Sequence, residues 1–199
     1  MKRRLTLAGL VAAPWLLSAC ARPQVATRWY ELRSPPPAAV PPVRPGDGAL
    51  WEVASAVGLP GALERETLVV ASGAASLEPL PGHRWVEPLR DAIPRLLVAD
   101  LAALRGPGLV WRAPVPSGVE VTRRLRVEIV TLIADAGRQK LRLQARWWLG
   151  DTRAGGAAPA LGQADVDIAL TDTSVDALAA AHRQALWQLA VRIVESGPA

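Results

Sequence analysis

Apolar and polar side chains alternate most regularly in the second half of the chain, and that alternation predicts a sheet. Leu125, Val127, Ile129 and Ile133 share one face of an extended segment, with Arg124, Arg126 and Glu128 on the other. Asp135-Ala136-Gly137 supplies a turn into residues 140–149. There Leu141, Leu143, Ala145, Trp147 and Leu149 point inward while Arg142, Gln144 and Arg146 point outward, so the two segments are expected to form a hairpin. Beyond a Gly/Ala-rich loop at 154–158, Ala164, Val166, Ile168 and Leu170 alternate with Asp165 and Asp167. Earlier in the chain, the aromatic 29–32, the apolar 49–57 and residues 67–71 read as shorter strands.

Two stretches carry a helical period instead. Leu89, Ile93, Leu96, Leu97, Leu101 and Leu104 recur at helix spacing within 85–104, with Pro88 suited to the first turn and Pro94 able to bend the segment. Near the end, Thr173 or Ser174 can cap a helix on which Val175, Leu178, Leu186, Leu189 and Ile193 form one stripe. These elements combine into an α+β, two-layer domain: a largely antiparallel sheet with two main helices packed on one face. Six prolines lie within 34–48, namely Pro35, Pro36, Pro37, Pro41, Pro42 and Pro45. Such a stretch favours extended geometry and stays out of sheet interiors, so it reads as a connection between strands.

The amino-terminal pattern is of another kind. Lys2, Arg3 and Arg4 precede an apolar run ending in Leu17-Ser18-Ala19-Cys20, which holds the single cysteine of the chain. A basic region, a short apolar region and small residues before a cut mark a secretory signal, and a cysteine just behind them marks a bacterial lipobox. Cleavage is expected between Ala19 and Cys20, with the Cys20 thiol carrying diacylglycerol. The plainer reading, a secretory signal cut at Ala19, would leave an unpaired thiol in an oxidising compartment. Each buried methylene contributes about 0.8 kcal/mol, so the three acyl chains of a mature lipoprotein, palmitate among them, anchor firmly. Residues 1–19 are then the signal peptide, 20–28 a lipidated tether and 29–199 a single domain. Ala21 and Arg22 follow Cys20 where Asp would favour inner-membrane retention, so the expected location is the outer membrane, facing the periplasm.

Charge and chemistry narrow the picture further. The net charge of +5 includes three basic residues of the signal, which leaves +2 on scattered arginines and one lysine, Lys140. Nucleic-acid binding needs a concentrated basic patch and is not indicated. A lone cysteine excludes an internal disulfide and a thiolate metal cluster. His83, beside a turn, and His182, on the last helix, sit in no metal-ligand spacing and read as structural side chains at the surface or a helix boundary. Asp165 and Asp167 share a strand face, which acid/base catalysis could use, but a solvated face beside Arg142 or Arg146 is the simpler reading. No serine has the nucleophile-elbow form, and Gly150 to Gly156 lacks the ordering of a nucleotide loop. Neither catalytic residues nor a cofactor, beyond covalent lipid on Cys20, are expected.

Eight tryptophans accompany one tyrosine and no phenylalanine. Trp51, Trp85, Trp147 and Trp187 fit core positions by period. Trp148 follows Trp147 on a strand and must point to the opposite face, where either a partner surface or local cover could meet it.

Trp29-Tyr30-Glu31-Leu32 just beyond the lipobox, then Leu59-Pro60 to Leu63, then Trp85-Val86-Glu87-Pro88-Leu89, resemble in their order the ABC-type transport auxiliary lipoprotein family, which includes paraquat-inducible PqiC lipoproteins. The resemblance runs from Cys20 to near Val194. A frequent Pro-x-Tyr-Leu of that family reads Pro60-Gly61-Ala62-Leu63 here, so the resemblance does not carry over any contact made by that aromatic ring. The resemblance implies an outer-membrane lipoprotein serving an ABC permease and ATPase with a mammalian-cell-entry (MCE) domain protein, moving phospholipid or other apolar molecules between the membranes. It makes Trp148, Trp29 and Tyr30 the candidate contacts for partner or lipid, with a homo-oligomer open. The competing readings are a structural or assembly lipoprotein that binds peptidoglycan or outer-membrane proteins, and a periplasmic hydrolase.

Overall fold

The computed structural model describes residues 26–33, 35–37, 48–153, 155–156 and 158–197. Ala19, Cys20, most of the tether and residues 38–47 of the proline-rich stretch lie outside the described residues.

Three long strands form an antiparallel meander: β6 (Arg123–Asp135), β7 (Lys140–Asp151) and β8 (Ala160–Ala169). The expected hairpin is the β6–β7 pair. Its turn is closed by the Asp135 carboxylate, which accepts from the Gln139 and Lys140 amides, while Arg138 takes a left-handed φ of 52°. One detail departs from strict alternation. Ile129 faces Ala145 but Thr131 faces Gln144, so Val130 is the extra residue of a β-bulge. The bulge reverses the phase of everything after it: Leu132 and Ala134 are buried, and Ile133, expected inward, leaves the core face.

The other edge of β6 is shared among short strands. At its start it pairs in parallel with β2 (Trp51–Val53), which pairs in parallel with β5 (Val110–Arg112). Gly58 bridges to Glu128 in the middle. At its end β6 pairs in parallel with β3 (Thr67–Ala71), which pairs antiparallel with β4 (Leu77–Trp85), and β4 holds β1 (Arg28–Tyr30) in parallel. The sheet is thus mixed, with its long ladders antiparallel.

Strand β4 is absent from the alternation pattern because it contains Pro79, Pro81 and Gly82. It forms nonetheless because its hydrogen-bonding phase tolerates proline. The Ser72 amide donates to the Ser76 carbonyl, so the Val69–Pro79 pair further along is one whose amides point away from the partner, and Pro79 needs no N–H there. A register break between Thr67 and Val69 and a φ of 77° at Gly82 let the strand turn before β1 joins it.

Helix α1 (Leu89–Arg105) starts after Pro88, slightly later than the apolar period suggested. It continues through Pro94; the carbonyl left without a donor, that of Arg90, lies in the exposed first turn. Helix α2 (Val175–Ser196) is capped by Ser174, whose hydroxyl accepts from the Ala177 amide at 3.0 Å. Leu96, Leu97 and Leu101 of α1 and Leu178, Leu186 and Leu189 of α2 are wholly buried, together with Leu125, Leu141 and Leu143 of the sheet. Both helices therefore cover the same sheet face, as the two-layer reading expects.

Candidate functional site

The helix layer leaves the opposite face of β6, β7 and β8 uncovered by any described element, and its polar side chains pair with one another. Arg142 of β7 forks onto Asp165 of β8, its Nε donating to Oδ1 at 3.0 Å and its Nη2 to Oδ2. Gln144 Nε2 donates to the same carboxylate at 3.0 Å and its Oε1 accepts from the Thr131 hydroxyl at 3.2 Å. Lys140 pairs with Asp167 at 2.7 Å, Arg146 with Glu128 at 3.0 Å and Arg124 with Glu52 at 2.9 Å. The hydrogen bonds from Arg142 and Gln144 hold the Asp165 carboxyl below the usual carboxylate range. A carboxyl kept ionised and already bonded is badly suited to donate a proton, so the solvated-face reading of Asp165 and Asp167 fits its surroundings.

Between these pairs the face is dished. A hollow of about 480 Å³ is lined by the polar Gln144, Arg146, Gln163 and Asp165, with the bulge residue Val130 its largest apolar side chain. Toward the start of β8 the character changes. Trp148 faces Leu161 across the β7–β8 ladder, Leu161 is 76% exposed, and the Arg126 guanidinium lies 5.7 Å from the Trp148 ring centre. Trp148 is half-buried because its ring lies over Gly150 of its own strand, where a Cβ would come within 2.2 Å of the ring. On the inner face Trp147 does the same over Gly162, and its indole N–H donates to the Ser196 hydroxyl at 3.1 Å. The cover of Trp148 among the described residues is therefore local, a glycine below and an arginine beside it.

The other two candidate contacts lie elsewhere. Trp29 is on β1, 56% exposed and opposite Arg84. Tyr30, next to it, is 8% exposed, and its hydroxyl bonds His83 Nδ1 at 2.7 Å. Contact with a partner through Tyr30 gives way to a core role, because alternation on β1 turns one neighbour out and the other in. Strands β3, β4 and β6 separate β1 from β7, so Trp29 and Trp148 do not form one aromatic patch.

Both histidines have structural roles, and His182 departs from the sequence expectation by being buried. His83 belongs to β4 and serves Tyr30. His182 is buried within α2, its Nδ1–H donating to the Leu178 carbonyl at 2.8 Å and the ring edge-on to Trp85; burial lowers its pKa to about 4. Period alone missed it because a helix packed against another helix and a sheet buries more than one stripe. Also unforeseen is the buried pair of Asp100 on α1 and Arg183 on α2, bidentate at 2.6 and 2.8 Å, whose Arg183 Nε also donates to the Arg33 carbonyl at 2.8 Å. Burial pushes the Asp100 carboxyl up and Arg183 opposes that shift. Arg95 reaches the Leu32 carbonyl at 3.3 Å while bonded to Glu87. The two arginines pin the chain leaving β1 to the helix layer. Among the described residues no group of three His, Cys, Asp or Glu could hold a metal ion.

Two solved structures share this fold. A crystal structure of an uncharacterized protein superposes with a TM-score of 0.66 at 18% identity, covering 85% of this chain and 97% of that one. A Xanthomonas campestris protein of the DUF330 family gives 0.65 at 18% identity, covering 84% and 93%. No curated protein matches the sequence. The family model for the ABC-type transport auxiliary lipoprotein component matches residues 30–194, from the second residue of β1's aromatic pair to the last turns of α2. That span takes in α1, all but the last two residues of α2 and the whole sheet apart from the first two residues of β1, and the chain belongs to the ABC-type transport auxiliary lipoprotein family.

Proposed function

We propose that this chain is an outer-membrane lipoprotein, acylated on Cys20 after cleavage behind Ala19 and facing the periplasm, that serves an MCE-domain protein and its ABC permease and ATPase in moving phospholipid or other apolar molecules between the membranes. The observation that carries the reading is the lipobox Leu17-Ser18-Ala19-Cys20 lying ten residues ahead of a matched transport-auxiliary domain. The domain works by binding rather than by bond chemistry. Its uncovered sheet face pairs its own charges and offers an apolar end at Trp148 and Leu161, which suits a protein surface better than a reaction centre.

Cys20→Ser keeps every described contact and removes the acyl acceptor. The variant is expected to leave the outer-membrane fraction while still folding, read by sucrose-gradient fractionation and circular dichroism. Crosslinking in intact cells followed by purification is expected to recover the MCE-domain protein. Recovery of peptidoglycan instead, in a pull-down on purified cell wall, would favour the structural envelope role and overturn the transport assignment.

A further inference from the structure

The direction in which the chain enters the sheet determines which end of the domain faces the lipid, provided that Cys20 carries the anchor. Strand β1 is parallel to β4, Arg28 opposite His83 and Tyr30 opposite Trp85; β4 is antiparallel to β3; β3 is parallel to the end of β6. Strand β1 therefore runs against β6, and the described residues ahead of it, Ala26 and Thr27, lead in from the end of the sheet where β6 finishes at Asp135. Three connections gather at that end: 72–76 between β3 and β4, 136–139 between β6 and β7, and 170–174 between β8 and α2.

Chain length makes this decisive. Eight residues from Cys20 to Arg28 span at most about 28 Å. Arg28 sits about four residues short of the β3 end, or about 13 Å at strand rise, so a taut tether clears the connections by about 15 Å. The opposite end, at Arg123 of β6, is twelve residues from Asp135, about 40 Å. To bring that end to the bilayer the tether would have to reverse and use nearly all its length merely to draw level, with nothing left to enter the headgroups.

We infer that the end bearing 72–76 and 136–139 rests against the phospholipid headgroups of the membrane that holds the anchor, with the sheet strands standing away from it. The inference rests on the acylation of Cys20 that the proposed function assumes. The surface there suits such contact. Residues 72–76 are Ser, Gly, Ala, Ala and Ser, all exposed, so this connection brings no ionised side chain to the headgroups, and Leu77 behind them is 46% exposed; the acidic groups of the same end are already bonded, Asp135 to the Gln139 and Lys140 amides, Asp167 to Lys140 and Asp172 to the Ser174 amide. Arg138, at the tip of its turn, makes no ion pair among the described residues and can meet a lipid phosphate. Arg126 is nine residues from Asp135, so the Trp148–Leu161 end of the open face stands about 30 Å above the lipid, turned toward the periplasm.

The test uses the full lipidated chain in phosphatidylethanolamine–phosphatidylglycerol vesicles. Acylation blocks Cys20, so a fluorophore attached to Ala74→Cys, Arg138→Cys or Thr152→Cys reports one site each. Headgroup-spin-labelled lipid is expected to quench the labels at 74 and 138 by roughly two-fold or more and to leave that at 152 nearly unchanged. Intact mass of each preparation comes first: an unmodified Cys20 overturns the anchoring reading and this inference with it. An acylated chain with equal quenching at all three sites, or stronger quenching at 152, overturns the orientation alone. A second pair of labels, at Ser76→Cys and Glu120→Cys, guards against loss of fold in any one variant and is expected to divide the same way.

Discussion

The two sides of β6 are built on different principles. On one side β7 and β8 form a continuous antiparallel meander with ladders of ten or more residue pairs, each strand stabilised by its neighbour. On the other side five strands, four of them three to five residues long, attach piecemeal, and every pairing that joins them to β6 or to each other is parallel except that of β3 with β4. Such short strands cannot stand by their own ladders. Side chains from the helix layer and nearby loops hold them: Arg183 on the Arg33 carbonyl, Arg95 on that of Leu32, Arg105 on that of Ala49 at 3.0 Å, and Thr122 on that of Leu50 at 3.0 Å. A meander is local in sequence and fastens itself, whereas a patchwork of short strands depends on distant residues that reach across the core.

That contrast is open to attack through its buried strut. Asp100→Ala strips Arg183 of its counter-charge in the core and is expected to cost about 3–5 kcal/mol in urea unfolding. The difference between the regions predicts where the loss appears first: amide exchange near Tyr30 to Arg33 should accelerate before that of β6 and β7. Uniform acceleration throughout would show that the two sides unfold as one and that the contrast is architectural only.

Acid probes the same side through His182, which packs against Trp85 at the end of β4. Its pKa is about 4 in the folded protein against 6.5 for a free imidazole, so the unfolded chain takes up the proton first. This group therefore costs nothing above about pH 6.5, and stability falls progressively between about pH 6.5 and 4, by about 3 kcal/mol in all, then levels off. His182→Leu should remove that slope, the difference between the two proteins being the measurement, since Asp100 titrates with the opposite sign.

The smallest effect belongs to the open face of the meander. Arg146 and Glu128 are both more than half exposed, and water screens their attraction. A double-mutant cycle with Arg146→Ala and Glu128→Ala is expected to give a coupling under about 1 kcal/mol. A larger value would mean that surface pairs, and not the ladder beneath them, hold the meander.

Legibility follows the same division. Residues 123–169 could be read strand by strand because alternation, a turn and a short loop are local signals. Even there alternation points Ile133 to the core face, since a bulge at Val130 changes register without changing composition. Strand β4 was hidden by its prolines, whose tolerance depends on which amides face β3. Of the candidate contacts, Trp148 was legible as outward-facing from its neighbour, but the Gly150 that lets its ring lie down is visible only in the fold. The burial of Tyr30 and His182 is not legible in the sequence, because burial on an edge strand or a helix flank is decided by what packs there.

By itself the sequence carried the Leu17-Ser18-Ala19-Cys20 pattern on which the proposed anchor rests, the two-layer class, the self-pairing meander and the resemblance in its ordered motifs, all of which reside in short stretches of neighbouring residues. Only the tertiary structure decided that Asp100 and Arg183 meet, that three arginines support short strands, and that the chain enters the sheet from one particular end. Those facts join residues dozens of positions apart, and no local period or propensity carries the geometry that brings them together.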